Sequence, residues 1–259
     1  MTTFDLHLWL WQLVADQRAF WRNRSRAFFS FALPLMFLLV FGTLNDGEVL
    51  GDRGGIAANV YIVPGLLAYG VIMATFTNVA GDLAVLREAG VLKRLRGTPL
   101  PGWTFVGSRM ASAVLIAVVV TAVALVVGSL AYGVEVRSET LPGLVLTLVA
   151  GTACFSALGI AVLRLISNAD AAGMVTNVCI LPLTFISGVW GDFGTLPGWL
   201  AAVAAAFPIK HLAHGLQVAF DPRTTGSGVD ATDLLVLAGW TVAGVVLATA
   251  VLRRERRLG

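Results

Sequence analysis

Long stretches without a charged side chain alternate with short charged segments along this chain. A helix needs about 20 residues to cross the hydrocarbon core of a bilayer, which is about 30 Å thick. The uncharged runs cover residues 27–45, 54–81, 110–134, 140–163, 171–191, 193–209 and 234–252. All but one of them are long and uninterrupted enough to span, so the pattern predicts a bundle of membrane helices.

The exception is the run 193–209, which has only 17 residues. Gly194, Pro197 and Gly198 interrupt its first third, and Pro208 ends it. What remains, residues 199–207, makes about two and a half helical turns. We therefore predict a broken re-entrant or surface helix inside an external region 192–233. Six spans are left, at about 27–45, 56–81, 107–133, 141–163, 171–191 and 234–252.

The basic residues predict the orientation of these spans. An even number of spans puts both termini on one side, together with the second and fourth loops. All of the 18 basic residues then lie on that side except Arg53, Arg137, Lys210 and Arg223. Lysine and arginine concentrate in cytoplasmic loops, so we expect both termini and the segment 82–102 to be cytoplasmic. A seventh span would place the basic C-terminus outside, against this bias.

The composition agrees with an all-α integral membrane protein. Apolar residues make up 57% of the chain and charged residues 13%, against about 45–50% and about 25% in soluble proteins. The net charge is +3, but the basic residues cluster at the ends of spans. This placement indicates contact with membrane and protein, and we expect no nucleic-acid partner.

The first helical segment, residues 4–24, is not apolar enough to span. On a helix its polar residues fall in one narrow stripe formed by Asp5, Gln12, Asp16 and Asn23. Most of the remaining surface is apolar and includes Trp9, Trp11 and Trp21, and tryptophan prefers the headgroup level. The pattern favours a helix lying in the membrane interface. An amphipathic helix packed on another subunit is the alternative.

The residue types that carry ion transport or catalysis are missing from the apolar runs. The middles of the six predicted spans contain no titratable Asp, Glu, Lys, Arg or His, which argues against a proton-coupled antiporter or ion pump. A sodium site built from carbonyls and hydroxyls stays possible. No G-x-x-x-x-G-K-[ST] phosphate cradle exists, since neither Lys93 nor Lys210 follows a glycine. We predict no catalytic residue and no bound cofactor, and expect any ATP hydrolysis on another polypeptide.

Two histidines at the predicted outer side are the only hint of a metal site. His211 and His214 are spaced to share one face of a helix, but zinc needs three or four ligands. Asp221 is the only plausible addition near them in sequence. We therefore interpret both histidines as polar side chains at the membrane boundary and predict no metal.

The segment 82–102 is the most unusual part of the chain. Asp82 is placed to cap the start of a helix, and Gly97 before Thr98-Pro99 is placed to stop it. Leucines alternate in it with charged residues of both signs. We expect a cytoplasmic helix that docks a protein. The alternative is a basic anchor that touches only lipid headgroups.

The same segment carries a resemblance to a known family. R-E-A-G-V-L-K-R-L-R-G-T-P-L-P at residues 87–101 resembles the E-x-G-x-x-x-R-L-x-x-T-P motif of ABC-2 type transporter permeases. L-P-L-T-F-I-S-G-V-W, T-L-P-G-W-L and F-P-I-K-H-L-A-H-G-L within residues 181–215 resemble the family's fifth span and broken external helix, and Y-I-V-P-G-L-L at 61–67 its second span. The pattern is nearest to the daunorubicin-resistance and Nod-factor-export branches. It departs at Ala89, often serine in the family, and at Gly191-Asp192-Phe193, where a proline is usual.

The resemblance implies one ABC-2 type transmembrane domain over residues 1–259, in the bacterial inner membrane. Segment 82–102 would be the coupling helix that the ATPase grips, through Arg87, Glu88, Gly90, Lys93, Arg94, Leu95 and Arg96. The path would lie between the second and fifth spans of two chains, with lining candidates Met73, Phe76, Thr77, Thr184, Phe185 and Ser187. Implied partners are two ATPase subunits that hold ATP and magnesium, a second identical or paralogous permease chain, and membrane lipid.

These expectations point to the permease subunit of an ATP-driven exporter. The apolar and aromatic path candidates suit a lipophilic or amphipathic cargo such as a drug, lipid, glycolipid or polysaccharide precursor. Two alternatives remain at this stage. One is a secondary transporter or channel that needs no ATPase, and the other is a membrane scaffold that transports nothing.

Overall fold

A computed structural model describes residues 3–50, 55–94, 102–191 and 196–257. These residues are mostly helical, as predicted. The helices are α1 Thr3–Arg22, α2 Arg24–Leu44, α3 Ala58–Ile72, α4 Asn78–Glu88, α5 Val91–Arg94, α6 Gly102–Tyr132, α7 Leu141–Ala161, α8 Ala171–Ile186, α9 Gly198–Ala206, α10 Pro208–Phe220 and α11 Ala231–Arg257. Strands β1 Val49–Leu50 and β2 Ile56–Ala57 form a small antiparallel hairpin between α2 and α3.

Five helical stretches in the described ranges are long and apolar enough to cross a membrane. They are Arg24–Leu44, Ala58–Glu88, Gly107–Tyr132, Leu141–Arg164 and Ala231–Ala250. The predicted fifth span, 171–191, is shorter than expected: α8 has 16 residues, or about 24 Å. It ends at Ile186 because the chain turns at Gly188, whose φ is +72°. The count of six spans therefore stays a prediction.

The second span continues further than the sequence suggested. Residues 58–88 form one helical stretch of 31 residues, in which Met73–Thr77 adopts a π-helical turn between α3 and α4. Asp82 therefore lies inside α4, and its predicted role as the cap that starts a separate helix is wrong. The helix ends at Ala89, since Gly90 has a φ of +69° that favours glycine. The four-residue α5 follows.

Helix α3 lies at the centre of the bundle, and its side chains are almost all buried. Small residues let backbones approach one another closely, which is how membrane helices pack. At Gly65 an added Cβ would lie 2.4 Å from the carbonyl oxygen of Val189, and at Gly159 it would lie 2.7 Å from that of Phe76. The end of α8 and the π-helical turn are thereby held against their neighbours.

Two polar side chains of helix α1 bind α6. Asp16, from the predicted polar stripe, is buried and accepts a hydrogen bond from Ser108 Oγ at 3.1 Å. Gln17 Nε2 donates to the carbonyl and hydroxyl oxygens of Ser112 in α6, at 3.0 and 2.9 Å. The opposite face is apolar and exposed, with Leu10, Trp11, Val14 and Trp21 on it. This arrangement fits the predicted interface helix, since lipid rather than water suits the exposed face.

The predicted broken helix consists of α9 and α10, which meet at the extended residue Phe207. Pro208 starts α10, because proline suits the first turn of a helix. Helix α10 is mostly buried and packs against α3, α7 and α11. Gly215 of α10 fits against Thr147 of α7, where a Cβ would lie 2.9 Å from Cγ2. The described residues of the region predicted to be external are therefore an integral part of the bundle.

Candidate coupling site

Arg87, at the end of α4, binds the end of α7. Its Nη1 donates to the carbonyl oxygen of Leu163 at 3.0 Å, and its Nη2 donates to those of Ile166 at 2.5 Å and Ser167 at 3.2 Å. The last carbonyls of a helix lack partners within the helix and attract cations. Arg87 thus caps the 3-10 turn Val162–Arg164 that closes α7.

Glu88 binds the same loop on its other side. Its Oε2 accepts a hydrogen bond of 2.8 Å from the backbone N–H of Ala169. One residue earlier, Asn168 Oδ1 accepts from the N–H of Ala171 at 2.8 Å and so caps the start of α8. Arg87 and Glu88 together attach α4 to the whole connection between α7 and α8. We call this the α4–α8 contact.

The remaining residues predicted for ATPase coupling lie beyond this contact. Gly90 makes the bend, and Arg94 is exposed in α5. The backbone of Lys93 belongs to α5, while Leu95 and Arg96 lie outside the described residues. The sequence motif therefore divides in two: its first two charged residues bind the chain's own loop, and Arg94 faces outward.

The six predicted path residues lie at two places. Met73, Phe76 and Thr77 form the π-helical turn, where Phe76 is only 6% exposed. At the end of α8, Thr184 and Ser187 are buried, and the indole N–H of Trp190 donates to Thr184 Oγ1 at 2.9 Å. Phe185 is the most exposed of the six, at 52%. Three of the six side chains are thus buried within this one chain.

Phe185 belongs to a group of aromatic side chains around Trp190. The two rings stack with their centroids 5.7 Å apart, and Phe37, Phe41 and Tyr69 also contact the indole. These rings join α2, α3 and α8. The sequence indicated the end of α8 as part of the path but not this cluster.

An ionic network joins α1, α2, α4 and α6, and the sequence-based interpretation missed it. The guanidinium nitrogens of Arg109 lie 3.0 Å from a carboxylate oxygen of Asp16 and 3.5 Å from a carboxylate oxygen of Asp82. Arg26 pairs with the second carboxylate oxygen of Asp82. Ser108 Oγ also donates to Asp16, at 3.1 Å. Burial raises the pKa of Asp16 above its ordinary value, and the charge of Arg109 opposes that rise.

A signal for this network was present in the sequence. Arg26, Asp82 and Arg109 each stand immediately beside an uncharged run, at the ends predicted to be cytoplasmic. Charges of alternating sign at one depth of a bundle can pair. Asp16 gave no such signal, since it lay on the polar stripe of a helix expected to face the interface.

At the opposite end of the bundle the two histidines share one carboxylate. His211 Nδ1 and His214 Nδ1 each lie 2.7 Å from an oxygen of Asp233, in the first turn of α11. Asp221, suggested by proximity in sequence, instead pairs with Arg223 at 3.1 Å. The residue that completes the group is 19 positions from His214, and only the packing of α10 on α11 brings them together.

Comparison with known proteins agrees with this architecture. The sequence profile described as ABC-2 type transporter matches residues 8–220. The chain belongs to the ABC-2 type transporter family, as its motifs predicted. It is similar to the inner membrane transport permease YadH of Escherichia coli K12, with 25% identity over 231 residues that cover 86% of this chain and 85% of the relative. The same values hold for YadH of Escherichia coli O157:H7 and of Shigella flexneri.

Membership in this family identifies a multi-pass membrane permease subunit, which indicates a transport role. The family in general works as a dimer with a partner ATPase. The α4–α8 contact lies within the matched region, and so do all six path candidates.

Proposed function

We propose that this chain is the permease subunit of an exporter that moves a lipophilic or amphipathic compound out across the cytoplasmic membrane. A separate ATPase subunit supplies the energy by hydrolysing ATP with magnesium. The observation that carries this proposal is the α4–α8 contact. It connects the segment predicted to meet the ATPase with the second and fifth spans, which are predicted to line the path.

The contact provides a route for force. A displacement of α5 would be transmitted to α4 through the bend at Gly90. The hydrogen bonds of Arg87 and Glu88 would then transmit it to the start of α8. Helix α4 cannot shift at this end relative to the connection between α7 and α8 without breaking those bonds. Helix α4 leads to the π-helical turn, and α8 leads to Phe185. The two groups of path candidates, in the π-helical turn and at the end of α8, would therefore respond to one movement.

The cargo class follows from the side chains near that route. The π-helical turn and the end of α8 offer apolar, aromatic and hydroxyl groups and no charge. Such surfaces accept apolar or amphipathic molecules, whereas a hydrated ion would lose its hydration without compensation. A drug, lipid, glycolipid or polysaccharide precursor would meet this requirement.

The test is co-purification of an ABC-type ATPase, which we expect to be encoded in a neighbouring gene. The wild-type complex in lipid should hydrolyse ATP faster when cargo is present. Arg94→Glu should weaken binding of the ATPase about tenfold or more, since charge reversal in an interface costs a few kcal/mol. Arg223→Glu makes the same charge change at the opposite end of the bundle and should bind normally. A wild-type chain that captures no ATPase would overturn the proposal.

A further inference from the structure

Three metal-ligating side chains converge at the end of the bundle where α11 begins. His214 projects from α10, Asp233 lies in the first turn of α11, and Asp230 stands immediately before that helix. Each offers one ligand atom, and these atoms all lie within 4.8 Å of one another. We propose that His214, Asp230 and Asp233 bind a divalent transition-metal ion of the zinc class.

The two carboxylates are held in place by other bonds. Asp230 Oδ1 caps α11, accepting from the N–H of Thr232 at 2.8 Å and of Asp233 at 3.1 Å. Both bonds use the same oxygen, so the second oxygen of Asp230 is available to a ligand. A site whose ligands are already oriented loses less entropy when it binds its ion.

His211 positions the carboxylate of Asp233 from behind. Its Nδ1 lies 2.7 Å from Asp233 Oδ1, and its Nε2 lies 2.8 Å from the carbonyl oxygen of Ala205. The ring is nearly buried and fixed at both nitrogens. Metal-binding carboxylates are commonly oriented by such an outer hydrogen bond. Asp233 Oδ2 is thereby aimed at His214.

The charge of the group can attract a cation. Asp233 is only 4% exposed and pairs with both histidines. In the described part of the chain neither Asp233 nor Asp230 pairs with lysine or arginine. Buried carboxylates are expensive unless they are paired or bind a metal. The carboxylates of Asp230 and Asp233 can each supply a negative charge to a bound cation.

The donor types select the class of ion. An imidazole together with carboxylates suits zinc and its neighbours, whereas magnesium and calcium prefer oxygen ligands alone. Two ligand atoms on one tetrahedral zinc lie about 3.4 Å apart, because each bond is about 2.1 Å. A pair of ligand atoms 4.8 Å apart therefore has to close by roughly 1.4 Å. The side chain of His214, which is 50% exposed, has room to move that far.

A bound ion would fasten α10 to α11 more strongly than the present hydrogen bonds. Helix α10 in turn packs on α3 and α7, so the ion would stabilise the broken helix pair as a unit. This inference does not depend on the proposed exporter function, since it concerns binding by the isolated chain.

The test is a calorimetric titration of the untagged full chain with zinc chloride, in detergent and after removal of metal with a chelator. The wild type should bind one zinc ion. Asp230→Asn keeps the helix cap but removes the charge, and His214→Ala removes the imidazole; each should weaken binding about tenfold or more. His7→Ala removes the one histidine other than His211 and His214 and should leave binding unchanged. Absence of binding by the wild type, binding unaffected by Asp230→Asn and His214→Ala, or equally tight binding of magnesium would overturn the proposal.

Discussion

Glu88 accepts a hydrogen bond from the backbone of Ala169, 81 residues further along the chain, at 2.8 Å. Beside it, Arg87 binds three carbonyl groups of the same connection. A motif expected to be a docking surface thus begins with two residues that hold the protein's own helices together. In the proposed function, the binding of the ATPase and the transmission of its movement would therefore fall to different residues of the motif.

Replacement of Glu88 by alanine tests transmission. The variant loses one hydrogen bond on an exposed side chain, so its free energy of unfolding should fall by only about 1 kcal/mol. We expect the ATPase to co-purify as before, while transport per ATP hydrolysed drops about fivefold or more. Cargo uptake and phosphate release measured together in proteoliposomes give this ratio.

Glu88→Gln is the matched control for that variant. Its amide oxygen can still accept from Ala169, so it should keep most of the transport per ATP. If Glu88→Ala instead loses the ATPase altogether, Glu88 acts as a docking residue and the role assigned to the α4–α8 contact is wrong.

The ionic network gives an asymmetric prediction. Arg109→Met leaves Asp16 buried without its cation, and breaking a buried pair from one side costs about 3 kcal/mol. The thermal midpoint in detergent, followed by tryptophan fluorescence, should drop clearly. Adding Asp16→Asn to Arg109→Met should recover part of the loss, because no uncompensated charge then remains at that position.

The control for the network is Asp221→Asn, which breaks an exposed ion pair. Such pairs contribute about 0–1 kcal/mol, so its midpoint should barely move. A double variant at positions 16 and 109 that is as unstable as the sum of its single variants would show that the two residues act independently.

Asp16 should also make stability depend on pH in a defined direction. Burial raises its pKa in the folded state above the ordinary value of 3.8, so the folded protein favours the protonated form. Its contribution is fully present below about pH 3.8 and is lost as the pH rises through the raised pKa. Between pH 4 and neutrality the wild type should lose stability relative to Asp16→Asn. If the unfolding midpoints of the wild type and of Asp16→Asn change by the same amount across that pH range, the raised pKa assigned to Asp16 is wrong.

Local chemistry explains which features could be predicted from the sequence. The apolar runs and the break at Pro208 depend on hydrophobicity and on backbone restrictions within a few residues. The continuation of α4 past Asp82 does not depend on nearby residues in this way. Asp82 forms ion pairs with Arg26 and Arg109, which lie on two other helices. A lone carboxylate after an apolar run resembles a helix cap until those partners are known.

The same limit applies to both candidate sites. The partners of Arg87 lie 76 to 80 residues away, and those of the two histidines lie on another helix. Residue types indicated a docking role for the segment that contains Arg87, whereas both histidines were interpreted as polar side chains at the membrane boundary. Only the packing of helices decides which of them meet, and a single sequence contains no direct record of that packing.

Substitution of Gly159 tests whether the π-helical turn depends on close packing. A Cβ at this position would lie 2.7 Å from the carbonyl oxygen of Phe76, and backbone cannot move aside as a flexible side chain can. Gly159→Ala should therefore cost about 1–3 kcal/mol, the usual price of overpacking. Gly173 in α8 has no atom within 4 Å of its added Cβ, so Gly173→Ala should be neutral or stabilising by about 0.5–1 kcal/mol, because alanine favours helix. Thermal unfolding of both variants in detergent measures the difference. Equal midpoints would mean that α7 yields freely at Gly159 and that the position of the π-helical turn is not set by this contact.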